Sequence, residues 1–483
     1  MNQSKEPKSG NTNRSIVWFR RDLRVQDNSA LYQAASNSSR GVIGLFVATP
    51  QQWLEHDDAA CKVKFWLENL RELSGSLAKL NIPLLWQRCN SYAQVSKVVL
   101  KIVKRHDCDA VYFNKEYEVN EVRRDECVAD ACQKKGIQTF SFHDRVIIPP
   151  REIATKDDRF YSVFTPYRKV WDSKAIEYTR KIPKPKKQHK IDIQPSPIPD
   201  SVSEFDVSGF RADLWGAGEG EAGKRLKNFA AKIRRYDLGR DLPGTNGTSL
   251  LSPYLAAGVI SPRQCLSAAL DLNDSRIVDG QGITTWISEL AWRDFYTHVV
   301  VGFPQVSKHL PFKQKTTSIQ WRNDTRDFEA WKTGNTGYPI VDAGMRQLNQ
   351  TGWMHNRLRM VTAMFLTKHL MIDWRLGEKY FMQQLIDGDL AANNGGWQWS
   401  ASTGTDAAPY FRIFNPFSQS KRFDAEGKFI KQLCPELAGV STKQLHDASK
   451  LSAAREKLEL SYPDFVVDHK FARERVLAAF KAI

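Results

Sequence analysis

The stretch SIVWFRRDLRVQDNSALYQAASNSSRGVIGLFVA, residues 15–48, decides how the first part of the chain is read. Ser15–Phe19 and Val42–Ala48 are continuous apolar runs, not alternating ones. Strands of that kind are buried on both faces, as in a parallel sheet. Ile82–Trp86, Ala110–Phe113 and Thr139–Phe142 repeat the pattern, and helix-length stretches such as Ala60–Leu80 and Ser91–His106 lie between them. Strands alternating with helices predict a doubly wound α/β domain over residues 15–145. Ligands of such sheets sit beyond the carboxyl ends of the strands, which directs attention to the loops Arg20–Asp27 and Asn114–Glu121.

Outward from this domain the character changes. The start, MNQSKEPKSGNTNR, residues 1–14, is polar and reads as a disordered leader. Residues 180–205 are rich in Pro and Lys, which suit neither helix nor central strand, so 146–210 reads as an interdomain linker. From 211 to 483 helical periodicity dominates, in Ala222–Arg235, Ser261–Asp271, Trp286–Val301, Asp342–Leu348, Asn356–Ile372 and Lys379–Ile386. This half is expected to be an all-α domain. GEGEAGKR, residues 218–225, imitates a phosphate-binding loop, but Arg225 stands where that motif needs Ser or Thr, and no strand precedes it. It reads as the entry to a helix.

The totals bound the function. Over 483 residues, hydrophobic residues are 41% and charged residues 26%, the balance of a globular protein. No run of about 20 apolar residues occurs, so no membrane helix is expected. Seven cysteines without a CxxC pair fit a reducing cytoplasm better than a disulfide framework, and the ten histidines show no HExxH spacing. A net charge of +16 favours a polyanionic partner, nucleic acid first.

Chemistry-bearing residues concentrate in the helical half. Eight of the 14 tryptophans lie between Trp286 and Trp399. Buried indoles need a partner for their N–H, so the cluster suggests stacking on planar ligands, electron movement between rings, or core packing. In WISELAWRDFY, Glu289, Trp292, Arg293 and Tyr296 fall at i, i+3, i+4 and i+7, on one helical face. In MHNRLRM, Asn356 and Met360 stand four apart, an amide that can read a base edge and an adaptable apolar contact. In DGDLAANNGGWQW, Asp387 and Asp389 precede what reads as a small-residue turn, with Asn393 after them. Gly395 and Gly396 there would let the backbone approach a ligand. Two aspartates could suggest a metal, but amides and arginines around a ring system suit a flavin better. In GTSLLSPYLAAG, Thr248, Ser249 and Ser252 follow Tyr236 and Arg240 and offer hydroxyls and amides to an anion such as a pyrophosphate.

Together these residues resemble the photolyase and cryptochrome family, from IVWFRRDLR at residue 16 to YFRIFNPF ending at 417. TGYPIVDAGMRQLNQTGWMHNRLRM and DGDLAANNGGWQW carry the resemblance most strongly. It is closest to the bacterial class I cyclobutane pyrimidine dimer photolyases. The resemblance implies an N-terminal α/β domain and an all-α domain holding folded-over FAD, reduced in the active form. It implies that Tyr236, Thr248, Ser249, Leu250, Leu251 and Ser252 serve the flavin phosphates and ribose. Trp286, Glu289, Arg293 and Asn356 lie beside the cofactor. Arg359 and Asp387 form an ion pair at the isoalloxazine, Asp389 bonds the ring edge, and Asn393 faces flavin N5. An amide at that place is no proton donor of carboxylic-acid strength, unlike the acid of plant cryptochromes, which favours a repair-competent flavin. Trp397, Trp374 and Trp321 match the family's electron-transfer chain.

For the lesion, the resemblance implies that Trp292 and Trp399 grip the dimer, Glu289 bonds the thymine edge, and Asn356 and Met360 complete the pocket. The (6-4) photolyases carry a histidine pair in that segment, so Asn356 and Met360 argue for the cyclobutane lesion. Dash-type cryptochromes usually lack the second tryptophan of WQW, present here as Trp399. Arg240, Arg357 and Arg412 are the expected phosphate contacts to UV-damaged DNA, single- or double-stranded. His56, Asn120, Glu121 and Lys308 resemble the site of a 5,10-methenyltetrahydrofolate antenna. Ser307 departs from the cysteine that some folate-binding members carry, and a deazaflavin is the alternative. The chain is expected to be a cytoplasmic monomer with no obligate protein partner. Two other readings compete: a blue-light cryptochrome without repair activity, and a basic DNA-binding protein without flavin.

Overall fold

In the computed structural model the described residues are 12–278, 281–406 and 411–482. Residues 1–11 of the expected leader lie outside them. The chain forms two compact units. One runs to Ile233 and includes Ser249–Pro304, and the other comprises Arg234–Thr248 and the chain from Gln305 onward.

The first unit is built on a five-stranded parallel sheet of order β3-β2-β1-β4-β5. The strands are β1 (Ser15–Phe19), β2 (Val42–Ala48), β3 (Leu84–Arg88), β4 (Ala110–Asn114) and β5 (Gln138–Phe142). Every residue of β1, β2 and β4 is buried, as continuous apolar runs require of central strands. Ser15 faces Val42 on one side and Ala110 on the other, so the strand order reverses at β1. β4 and β5 each run one residue longer than their sequence readings, and β3 departs further from its reading of Ile82–Trp86. Pairing of Val47 with Gln87 and Ala48 with Arg88 carries β3 two residues further, into polar sequence, and Pro83 has no N–H to give a ladder. Register with β2, not hydrophobicity, sets that end.

The loops at the carboxyl ends of β1 and β4 and the helix Val119–Gln133 spend their charge on one another. Arg20 pairs with Asp125 at 2.8 Å, Arg21 with Glu116 at 2.7 Å, and Arg124 with Glu116 at 2.6 Å. The surrounding guanidinium groups hold Glu116 well below the usual carboxylate range against the opposing effect of burial.

The stretch 146–210 holds more than a linker. Phe164–Lys174 is a helix whose Tyr167 packs on Phe295 of the long helix Gln281–Gly302, with ring centroids 5.2 Å apart. Asp294 of that helix accepts from the amides of Ile147 and Ile148 and from Trp171 Nε1 at 3.0–3.2 Å. Burial nevertheless pushes its carboxyl up to about 6. A carboxyl raised on folding stabilises fully below its unfolded value near 4, and this contribution is lost as pH rises through about 6. Asp294→Asn is therefore expected to lose less stability than the native chain between pH 4 and pH 7.5, measured by denaturant unfolding at both. Identical pH slopes would exclude this source.

The second unit is helical. The helix expected over Asn356–Ile372 is α-helical only to Met364, and Phe365–His369 forms a wider π turn. The extra residue turns Lys368 inward, where its Nζ donates to Ala401 O at 2.8 Å and Ser402 Oγ at 3.0 Å and lies over the Phe411 and Phe480 rings. The expected turn at Gly395–Gly396 is absent, because Leu390–Ala401 is one helix. A Cβ built on Gly396 meets no protein atom within 4 Å. GEGEAGKR does enter a helix, Glu219–Ala230, with Gly218 at φ 95° as its cap. No helix among the described residues is long and apolar enough to cross a membrane.

Candidate flavin and lesion site

In the first unit, Glu289, Trp292, Arg293 and Tyr296 are all half-buried, while Leu290, Ala291, Asp294 and Phe295 between them are buried. The four make the single stripe their spacing predicts. Trp286 is buried against Phe229, 5.1 Å between centroids. Arg293 donates to the carbonyls of Arg145 and Leu255, so part of its capacity holds backbone. The Trp292 ring lies flat on Phe164, 3.6 Å between centroids and 10° between planes. Nothing in the sequence marked Phe164. Of the expected phosphate segment, Leu250 adopts φ 53°, Leu251 is buried, and exposed Ser252 opens the short helix Ser252–Ala257.

The same unit brings three of the four antenna candidates together. Asn120 Nδ2 and Gln52 Nε2 both face His56 Nε2, at 3.0 and 3.2 Å. Two amide donors on one ring nitrogen make it the acceptor, which leaves the proton on Nδ1, 3.5 Å from Glu121 Oε1. Tyr92 OH donates to the same oxygen at 3.1 Å. Burial, helped by Glu118, pushes the Glu121 carboxyl up. Lys308 is exposed and belongs to the second unit.

In the second unit, Arg359 NH2 bonds both oxygens of Asp387, at 3.0 and 2.8 Å, while its Nε donates to Met354 O at 2.9 Å. Three contacts fix the guanidinium plane. Asp389 caps the helix Leu390–Ala401, accepting from Ala392 N at 3.2 Å. Asn393 Nδ2 donates to Glu378 O at 3.0 Å. That bond settles the amide's orientation and turns its carbonyl end the other way.

Glu378 also accepts from Asn394 Nδ2 at 2.9 Å and meets His309 Nδ1 at 2.9 Å, and Asn394 in turn accepts from Gln398. Sequence reading missed this brace. The only hint was a second asparagine beside Asn393. Thr248 is half-buried, and Tyr236 lies under Arg240, 5.6 Å from guanidinium to ring. The loop between them closes tightly, since a Cβ on Gly247 would stand 2.3 Å from Gly239 O.

Trp397 and Trp374 are buried in one core cluster, against which half-buried Trp321 packs. Gly377 lies one turn after Trp374, and a Cβ there would come within 2.2 Å of Trp397 Cη2. The helix Trp374–Gln384 therefore rests directly on the Trp397 ring. Asn356 is exposed at the start of its helix, and Met360 and Trp399 are half-buried. Arg357 pairs with Asp241 at 2.8 Å, and Arg240 stands 3.8 Å from the same carboxylate. Arg412 is exposed.

Comparison with known proteins shows the family. Residues 286–482 match the model described as the FAD binding domain of DNA photolyase, and residues 15–187 match that described as DNA photolyase. The chain belongs to the DNA photolyase family. A deoxyribodipyrimidine photo-lyase of Escherichia coli strain K12 is 44% identical, over 97% of this chain and 98% of its own. A bacterial class III photolyase from Agrobacterium tumefaciens has a TM-score of 0.86 at 34% identity, covering 99% of both chains. A Synechocystis cryptochrome scores 0.85 at 27% identity, covering 98% and 99%. The fold expected from the resemblance is thus the fold found.

Proposed function

We propose that this chain is a light-dependent DNA-repair enzyme that splits cyclobutane pyrimidine dimers with reduced FAD. The observation that carries the reading is the run Asp387, Asp389 and Asn393, with Arg359 clamped on the first and the amide of the last held in one orientation. Fixed guanidinium, carboxylate and amide groups suit the hydrogen-bonding edge of a flat heteroaromatic ring. Trp397 Nε1, buried in the same unit, meets no acceptor among the described residues. These features fit a flavin.

Arg359, Asp387, Asp389, Asn393, Asn356, Tyr236, Thr248, Ser249, Leu250, Leu251, Ser252, Trp286, Glu289 and Arg293 would hold FAD. Reduced FAD, when bound, supplies on excitation the electron that opens the dimer ring. The protein orients its partners and excludes water. Trp292 and Trp399 stack on the lesion, with Asn356 and Met360 against it, and Glu289 bonds the pyrimidine edge and steadies the charge that develops there. Trp321, Trp374 and Trp397 pass electrons inward to recharge an oxidised cofactor. Photolyases as a class act on a nucleotide flipped out of the duplex. Unstacking costs about a few kcal/mol, least at a distorted lesion, and so adds selectivity.

UV-damaged DNA is the partner, met by Arg240, Arg357 and Arg412, and the enzyme acts as a cytoplasmic monomer. An antenna, 5,10-methenyltetrahydrofolate or else a deazaflavin, would use His56, Asn120, Glu121 and Lys308. Acid release and chromatography against both standards identifies it. A photolyase from Sulfolobus tokodaii, 31% identical, holds two FAD molecules, so FAD belongs among the standards.

The test of the whole reading is illumination of the reduced protein with UV-treated oligo(dT). Thymine dimers should disappear in light only. Persistence of the dimers, with flavin present and reduced, would leave the cryptochrome reading standing. Dark affinity for UV-treated duplex should fall steeply with salt, because phosphate contacts release counterions. A flat response would remove the basic docking face.

A further inference from the structure

We infer that Phe164 is a positioning residue for lesion binding, holding the Trp292 indole in place from behind before DNA arrives. This rests on the reading of Trp292 as a lesion-stacking ring. Phe164 begins the helix Phe164–Lys174 and faces the long helix Gln281–Gly302. An aromatic ladder joins the two. Tyr167 and Phe295 are buried at its inner end, 5.2 Å apart, and Phe164 reaches both Phe295, at 5.6 Å, and Trp292, at 3.6 Å.

The ladder's other anchor is His298. Its Nε2 accepts from Tyr161 N at 2.9 Å, and its Nδ1 lies 3.1 Å from Pro150 O, where a ring N–H donates. Burial pushes its pKa down to about 4, so at neutral pH the ring stays uncharged and serves one donor and one acceptor at once. Gly302 permits the same approach further along, since a Cβ there would stand 2.4 Å from the Phe160 ring. The segment from Phe160 to Tyr167 is thus fastened at several points around Phe164.

Trp292 differs from the rest of the ladder in being half-buried. Core packing is satisfied further in, at Tyr167 and Phe295. Phe164 lies 10° from parallel and fixes the tilt of the indole, while Phe295, at 82°, fixes its rotation. One face of Trp292 is covered by Phe164, so that face is closed to a planar ligand. Binding to a ring already held avoids the cost of ordering it, which is worth about a twofold to tenfold change in affinity.

The experiment compares Phe164→Leu, Phe164→Tyr and Trp292→Ala in the full-length, flavin-loaded protein. The readouts are dark dissociation constants for UV-treated and untreated duplex, repair yield per photon at saturating enzyme, and melting temperature. Phe164→Leu keeps the bulk but loses the flat stack. It should weaken binding of the damaged duplex about tenfold, leave the untreated duplex unaffected, and lose affinity rather than yield. Phe164→Tyr should restore the affinity.

If Phe164→Leu binds damaged DNA as tightly as the native protein while Trp292→Ala does not, Phe164 has no such role. If Trp292→Ala also leaves damage recognition intact, the lesion-stacking reading of Trp292 falls, and this inference with it. Should Phe164→Leu fail to fold, Phe164→Met takes its place, since an unbranched chain fills the gap without a planar face.

Discussion

Trp374→Phe should abolish light-driven reduction of oxidised flavin while repair by enzyme reduced beforehand stays near the native level. Trp374 is buried at the first turn of its helix, and Asp373 caps that turn through Arg375 N at 3.0 Å. Phenylalanine keeps the ring and the cap but is far harder to oxidise than an indole. In the proposed chain of carriers, an electron bound for Trp397 then loses its middle step. The lost volume costs about 1–3 kcal/mol of stability, too little to unfold a chain of this size. Flavin absorbance under blue light with a thiol reductant follows the first activity, and dimer loss after chemical reduction follows the second. Equal loss of both would assign Trp374 to the fold or the repair step. Undiminished photoreduction would assign the chain of carriers elsewhere.

Asp342→Ala should be the most destabilising single change in the helical unit, by about 3–5 kcal/mol. Its fully buried carboxylate accepts from Thr336 N at 2.7 Å, Thr336 Oγ1 at 2.6 Å, Gly337 N at 3.0 Å and the Tyr462 hydroxyl. Removing it strands four buried donors at once. The same loop grips the C-terminal segment directly: Val466 N donates to Thr336 O, Tyr338 OH donates to Val467 O, and a Cβ on Gly337 would stand 2.5 Å from Asp464 O. Urea unfolding of the variant measures the loss. A change under about 1 kcal/mol would mean the loop holds without its carboxylate.

Asp342 also marks where sequence reading reached its limit. TGYPIVDAGMRQ is part of the stretch that most strongly signalled the family, yet in the fold its aspartate faces no expected ligand. It locks a loop to residues more than a hundred positions later. A motif reports that its residues matter together, not whether they matter to chemistry or to packing. DGDLAANNGGWQW gives the opposite lesson. Its residue types were read as a polar edge followed by tryptophans, and the local glycines suggested a turn. Asp389 capping and the packing of the helix Trp374–Gln384 on Trp397 make it a helix instead, with tertiary contact outweighing the glycine penalty.

By itself the sequence determined what short-range pattern can encode. Unbroken apolar runs required a sheet covered on both faces, 3.6-residue spacing put Glu289, Trp292, Arg293 and Tyr296 on one stripe, and residue types named a flavin-like ligand. The tertiary structure alone decided which partners restrain those side chains: Phe164 behind Trp292, Glu378 behind Asn393, and Gly377 beneath Trp397. Each is an ordinary residue in its own stretch. What it does depends on a neighbour brought close by packing, and a one-dimensional pattern does not carry that distance.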